Sequence, residues 1–188
     1  MPSHPAPAPA PPPPPPCGSH QFVASGITSQ PKPPSVDPNG PAGAFLVELL
    51  IYNGAPFKDN WAYWVRSHCD PEMGVLTHAT GDVKNGFQLE TKRNHDFRTT
   101  GNRPIKTIPL QWIDGKYFDE SAMFNDGVNK IDTVLVCAFE ASLHKVKAPG
   151  KSLTTVDDKK WVIESANQLV IDGILTPTVA EYLRAIEQ

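Results

Sequence analysis

Short apolar segments separated by turn residues make up the chain from about residue 44 to about residue 139. The first of them, Phe45 to Tyr52, is apolar at nearly every position, which is typical of a strand covered on both faces. Asn53-Gly54 follows it directly, and this dipeptide strongly favours a turn. Aromatic and β-branched residues then predict a second strand at Trp61 to Val65.

Four later segments continue this strand pattern. A third strand is predicted at Val75 to Thr80, and a fourth at Phe87 to Thr91, where apolar and polar residues alternate. The fifth, Ile105 to Ile113, contains Pro109, which favours an edge or a bulge. Thr133 to Phe139 has three consecutive large apolar residues and predicts a last, central strand. Because the connections are short, the strands are expected to be antiparallel.

After Pro149-Gly150 the spacing of apolar residues changes from two to about 3.6, which predicts a helix. Thr155 and Asp158 are expected to cap its start, and Gly173 to end it. Thr176-Pro177 predicts the start of a second helix. We therefore predict an α+β fold, with a curled antiparallel sheet of about five or six strands and two C-terminal helices on one side. A short helical turn is also expected near residues 120–124.

The N-terminal part of the chain has a different composition. Fifteen of the 21 prolines fall within the first 41 residues. Proline fixes φ and lacks a backbone donor, and few large apolar side chains accompany it to offset the entropy of ordering. We therefore predict a disordered, proline-rich tail at residues 1–41 and a single α+β domain at residues 42–188, which is an ordinary domain size.

Charge and hydropathy exclude two classes of partner. The formal net charge is −3, with no basic cluster, so a nucleic-acid surface is unsupported. The longest apolar run, residues 44–51, contains Glu48 and is too short to span a bilayer. The N-terminus has prolines where a secretory signal needs a charged and then an apolar region. We predict a cytoplasmic protein without nucleic-acid or membrane partners.

The three cysteines, Cys17, Cys69 and Cys137, are odd in number and widely spaced, which favours reduced thiols. No pair has metal-ligand spacing, and the sequence has neither a zinc signature nor a phosphate-binding glycine loop, so we predict neither a metal site nor a cofactor. Cys137 is interpreted as a core residue, whose burial would oppose thiolate formation. Cys69 has no activating neighbour in the sequence.

His78, in the predicted third strand, is the main candidate for catalysis. A histidine ionises near working pH, so it would serve as a general base if a polar partner lies beside it. The alternative is a structural histidine bonded to a neighbouring carbonyl. Trp61, Tyr63, Trp64 and Trp112 are candidate ligand-binding residues, although aromatic residues at strand spacing also build cores.

The segment Asn60-Trp61-Ala62-Tyr63-Trp64-Val65 resembles the first, His-Trp-Ala-type strand of the NlpC/P60 and lecithin:retinol-acyltransferase-like hydrolases, which are permuted papain-like proteins. His78 stands where a second polar residue of those hydrolases is expected. The chain is also similar to small uncharacterised fungal proteins with this strand pattern. The resemblance covers residues 44–80 and the first C-terminal helix, and it makes Asn60 and His78 the candidate catalytic residues.

Two departures from that family affect its chemistry. Asn60 replaces the family's histidine, and an amide does not take up a proton at neutral pH. The helix that opens with Asn-Cys in the family begins here with Asp158-Lys159-Lys160-Trp161, without a thiol. A cysteine–histidine mechanism needs both partners, so the resemblance implies that the thiol chemistry is missing.

Three functions from different classes follow. The first, which the sequence favours slightly, is a non-catalytic binding or accessory domain for a small molecule or a partner. The second is a divergent hydrolase or transferase that uses His78 with Asn60, in the manner of an accessory enzyme of fungal specialised metabolism. The third is an adaptor whose segment Pro9 to Pro16 docks as a polyproline II helix into a proline-binding module.

Overall fold

The computed structural model describes residues 31–55, 59–82, 84–150 and 158–187. Its strands are β1 (Phe45–Tyr52), β2 (Asn60–Arg66), β3 (Met73–Asp82), β4 (Gly86–Asp96), β5 (Lys106–Ile113) and β6 (Lys130–Asp132). Its helices are α1 (Glu120–Phe124), α2 (Ala138–Leu143), α3 (Asp158–Ile171) and α4 (Pro177–Ala185). The six strands form one open sheet in the order β5-β1-β2-β3-β4-β6, and all paired neighbours are antiparallel. The predicted α+β class is confirmed.

One side of the sheet, called here the helix face, packs against the four helices. Because side chains alternate along a strand, Trp61, Tyr63 and Val65 of β2 all point to this side, where they join the main core. The Tyr63 hydroxyl donates to the Val162 carbonyl in α3 over 2.7 Å, which ties β2 to that helix.

The opposite side, called here the loop face, has no helix among the described residues. β4 and β5 lie towards opposite ends of the strand order, so the connection between them, residues 97–105, has to cross the sheet. It begins on the loop face, where Phe97 packs on Trp64 with ring centroids 4.4 Å apart. Residues before β1 also contact this face, since the Trp112 indole N–H donates to the Asp37 carbonyl over 2.8 Å.

Most of the predicted elements are present. All five strands predicted between residues 45 and 113 occur, as do α1 and both C-terminal helices. Gly173 has the left-handed φ of +71° that ends α3, and Thr176-Pro177 begins α4 as expected. The predicted cap Thr155 lies outside the described residues, as do residues 1–30 of the predicted tail.

The prediction of a central strand at residues 133–139 is wrong. β6 ends at Asp132 and lies at the sheet edge, and Cys137 is the cap residue of α2. Side chains, not a neighbouring strand, bond the backbone of this segment. The Asp132 carboxylate accepts from the N–H groups of residues 133 and 134, Arg93 donates to the Val134 carbonyl, and Glu140 accepts from the Val136 N–H.

Candidate functional site

His78 and Glu90 form a pair on the loop face. They lie opposite each other in the register of β3 and β4, and His78 Nε2 is 3.2 Å from Glu90 Oε1. Lys92, on the same face of β4, places its ammonium 3.6 Å from that oxygen. The His78 and Glu90 side chains are 22% and 18% exposed, so solvent or a small ligand can reach them.

The surroundings of His78 favour the neutral imidazole. Burial lowers its pKa below the ordinary value, and the hydrogen bond to Glu90 opposes this effect, while the Lys92 charge adds to it. A neutral histidine held by a carboxylate is the arrangement of a general base and its orienting group. The polar partner that the sequence hypothesis required is therefore present.

Asn60 is the first residue of β2 and is exposed, opposite Tyr52 of β1. His78 pairs with Ala62, two residues further along β2, so alternation puts Asn60 on the same face as the histidine. No hydrogen bond joins the two side chains in the described part of the chain. The structure brings them to one region of the sheet without making them a bonded pair.

Neither described thiol lies beside His78. Cys137 packs against the main core, on the helix face, and its pKa is raised to about 11, chiefly by burial. Cys69 is exposed in the loop between β2 and β3. Cys69 precedes Gly74, which pairs with Arg66 at the loop end of β3. His78 lies four residues further along β3 than Gly74, a distance of about 13 Å at the rise of a strand, so the loop that contains Cys69 is far from the histidine.

The four predicted ligand-binding aromatic residues divide between the two faces. Trp61 and Tyr63 lie on the helix face and are almost fully buried in the main core. Trp64 is equally buried on the loop face, under Phe97. Trp112 is partly exposed and lines a cleft.

Among the concave regions that the described residues form, two lie on or beside the loop face. The first, called here the Arg66 cleft, has a volume of about 370 Å³ and is lined by Leu46, Arg66, Ser67, His68, Pro71 and Trp112. The second, of about 400 Å³, lies at the β3–β4 hairpin and includes Thr80, Gln88 and Glu90 in its lining. The His78 pair therefore borders the second region, and the Arg66 cleft lies at the other end of the strands.

The sequence hypotheses missed Arg66, Glu90 and the environment of Glu48. Glu48 is buried on the loop face, where desolvation raises the pKa of its carboxyl and Arg66 partly opposes the shift. A sequence signal for Glu48 existed, since it is a single charge within an apolar strand. Glu90 could have been found from the turn residues of the β3–β4 hairpin.

Residues 47–176 match the model of a family of unknown function, DUF6540. The chain belongs to this family. No curated protein and no solved structure matches the chain. The DUF6540 match begins in β1 and ends at the cap residue of α4, so it contains His78, Asn60 and all four aromatic candidates.

Metal-binding clusters and membrane spans do not occur in the described ranges of this DUF6540 member. Within those ranges, no group of three or more His, Cys, Asp or Glu side chains is arranged to hold a metal ion. No helix of the same ranges has the length and apolar character needed to cross a membrane.

Proposed function

We propose that this protein is a non-catalytic binding or accessory domain, built on a scaffold like that of the NlpC/P60 hydrolases but without their thiol chemistry. The placement of the sulfur atoms is the observation that supports this function most. His78 has an orienting carboxylate 3.2 Å away, yet both described cysteines lie elsewhere, one on the helix face and one in a distant loop. A base without a nucleophile in reach does not complete a cysteine–histidine mechanism.

The contact between α3 and β2 supports the choice of scaffold. In the resembled family, the start of a C-terminal helix supplies the cysteine and a Trp-Ala strand supplies the histidine. Here the Lys159 ammonium lies 5.4 Å from the Trp61 ring centroid, and the Trp161 and Tyr63 rings are 5.9 Å apart. The two elements are adjacent, but Asn60 points to the loop face and α3 packs on the helix face, so the residue at the position of the family's histidine does not face this helix.

The proposal is tested by turnover and binding measurements on the full chain. We expect no turnover of an ester and amide panel above the buffer rate, and no difference between the wild type and His78→Ala. Turnover that disappears in His78→Ala but persists in the exposed-surface variant Glu181→Gln would overturn it. We also expect at least one compound of a metabolite panel to raise the melting temperature of the protein, or at least one partner to be recovered by pull-down. If both experiments fail, the binding function is contradicted.

A second function, a divergent hydrolase or transferase, is favoured by one specific observation. The His78–Glu90 pair has the spacing of a base and its orienting group, and burial favours the neutral base. In this case His78 would activate water or a substrate hydroxyl instead of a thiol, and the chain would act as an accessory enzyme of fungal specialised metabolism. If this function is correct, the turnover rate should rise with pH as His78 loses its proton, and His78→Ala should abolish turnover.

The adaptor hypothesis concerns Pro9 to Pro16, which lie outside the described residues. Deleting residues 1–30 should abolish binding of a proline-binding module if this hypothesis is correct, and unchanged partner recovery would reject it.

We further propose a cytoplasmic location. The free state of Cys69 and Cys137 supports it, because reduced thiols are typical of that compartment.

A further inference from the structure

The Arg66 cleft is built on the ends of three neighbouring strands. Leu46 of β1 pairs with Trp112 of β5, and Arg66 ends β2 on the other side of β1. All three side chains point to the loop face, because each alternates with residues that point into the main core. Strands lie about 4.8 Å apart, so Trp112 and Arg66 form walls whose backbones are about 10 Å apart, with Leu46 as the floor.

The two walls differ in chemistry. Trp112, Leu46 and Pro71 present apolar surface, while Arg66, Ser67 and His68 supply hydrogen-bond donors on the side of the β2–β3 loop. The volume of about 370 Å³ is within the range of small-molecule sites.

Arg66 differs from the arginines near it in having no ion pair. Arg98 contacts Asp70 at 2.8 Å, and Arg103 contacts Glu72 at 2.9 Å. In the described part of the chain, Arg66 makes neither a hydrogen bond nor an ion pair. Its charge does act on Glu48, because it partly opposes the rise in the pKa of that carboxyl. Arg66 is a half-buried residue of the cleft. A guanidinium is suited to a carboxylate, which it can bind through two parallel hydrogen bonds.

Trp112 is held in place from outside the cleft. Its indole N–H is bonded to the Asp37 carbonyl, and Gly40 lies so close to the ring that a Cβ at that position would overlap it. His68 is fixed in a similar way, with its ring 4.3 Å from that of Phe45. The indole of Trp112 and the imidazole of His68 are therefore in place before any ligand arrives, which reduces the entropy lost on binding.

We propose that the Arg66 cleft binds a small aromatic carboxylate, with the carboxylate on the Arg66 guanidinium and the ring against the Trp112 indole. This assignment rests on the proposed binding function and names its ligand class and its site. The site is separate from the His78 pair, so a ligand can occupy it whether or not the histidine takes part in a reaction.

The test is isothermal titration of the full chain with benzoate, together with benzamide as a neutral analogue of the same shape and inorganic phosphate as an anion without a ring. We expect benzoate to bind and to quench tryptophan fluorescence. Benzamide and phosphate should each bind at least about tenfold more weakly, because one lacks the charge and the other the stacking surface. Arg66→Gln should weaken benzoate by at least about tenfold, and Arg66→Lys by less, since it keeps the charge but not the paired donors.

Arg103→Gln is the matched control, because it removes a neighbouring arginine that already has a carboxylate partner. It should leave benzoate affinity unchanged. Absence of benzoate binding at millimolar concentration, equal affinity in Arg66→Gln, or phosphate binding as tight as benzoate would each overturn the assignment. Melting temperatures of all variants show whether a loss of binding reflects unfolding.

Failure of this assignment is distinguishable from failure of the proposed function. Turnover that depends on His78, with benzoate binding intact, would refute only the non-catalytic function. Lack of benzoate binding in a protein that has no turnover, but that binds another compound or partner, would refute only the aromatic carboxylate and its place in the Arg66 cleft.

Discussion

The two faces of the sheet use polar residues in opposite ways. On the helix face, buried polar groups are fully bonded: Arg93 contacts Glu140 at 2.9 Å and Asp132 at 3.2 Å, and the Tyr63 hydroxyl is bonded to α3. On the loop face, Glu48 is buried with no hydrogen bond to the described residues, and Arg66 has no ion pair there. The helix face is therefore organised for stability, and the loop face retains polar groups that a ligand could satisfy.

The largest expected effect comes from the helix face. Arg93→Met would leave Glu140 and Asp132 without their buried partner, and breaking one half of a buried ion pair costs about 3–5 kcal/mol. We expect urea unfolding to show a loss of stability of that size. The double variant Arg93→Met/Glu140→Leu should recover part of it, because the unpaired carboxylate is gone. A loss below about 1 kcal/mol in the single variant would mean that this network does not anchor the edge of the sheet.

A matched pair of tyrosines compares the two faces directly. Tyr63→Phe removes the hydroxyl that donates to Val162, and we expect a loss of about 1–2 kcal/mol in urea unfolding. Tyr52 lies on the loop face, and its hydroxyl has no hydrogen bond to the described residues. Tyr52→Phe should therefore change stability by no more than about 0.5 kcal/mol. Equal losses in the two variants would contradict the contrast between the faces.

A gain in stability is expected from one substitution on the loop face. Burial raises the pKa of Glu48, so the folded chain keeps a proton that the unfolded chain has already lost. Stability therefore falls as pH rises from the ordinary glutamate value through the raised one, and the penalty is absent below that window. Glu48→Gln should stabilise the protein by on the order of 1 kcal/mol at about pH 7.5, and by less near pH 4.

The control for this variant is Glu181→Gln, in which an exposed carboxylate on α4 is neutralised. Its unfolding free energy should change little at either pH. If Glu48→Gln destabilises the protein at neutral pH, the Glu48 carboxylate must be satisfied in the folded state, and the loop face would not differ from the helix face in this respect.

Local patterns were sufficient to predict the elements that are defined by their own residues. Apolar runs, aromatic and β-branched content, alternation and turn residues predicted β1 to β5, and Gly173 with Thr176-Pro177 predicted the break between α3 and α4. The segment 133–139 was predicted wrongly because its apolar residues fit a strand. Its backbone is bonded instead by the side chains of Arg93 and Glu140. Arg93 lies 41 residues before Val134, to whose carbonyl it donates, so this bond is not visible in the local sequence.

The site divides in the same way. The His78–Glu90 pair belongs to one hairpin, so counting from the turn residues would have found it. Alternation alone would also have separated Trp61 and Tyr63 from Trp64. The Arg66 cleft could not be predicted, because it combines β2 with a strand that is some fifty residues away and whose pairing with β1 shifts at a bulge.

The strand order also has a consequence for synthesis. β1 pairs with β5, yet the residues of β5 are translated only after β2, β3 and β4. While the nascent chain leaves the ribosome, one edge of the apolar strand β1 therefore stays without its neighbour until residue 113 has emerged. Chaperone demand during translation should be concentrated in that interval.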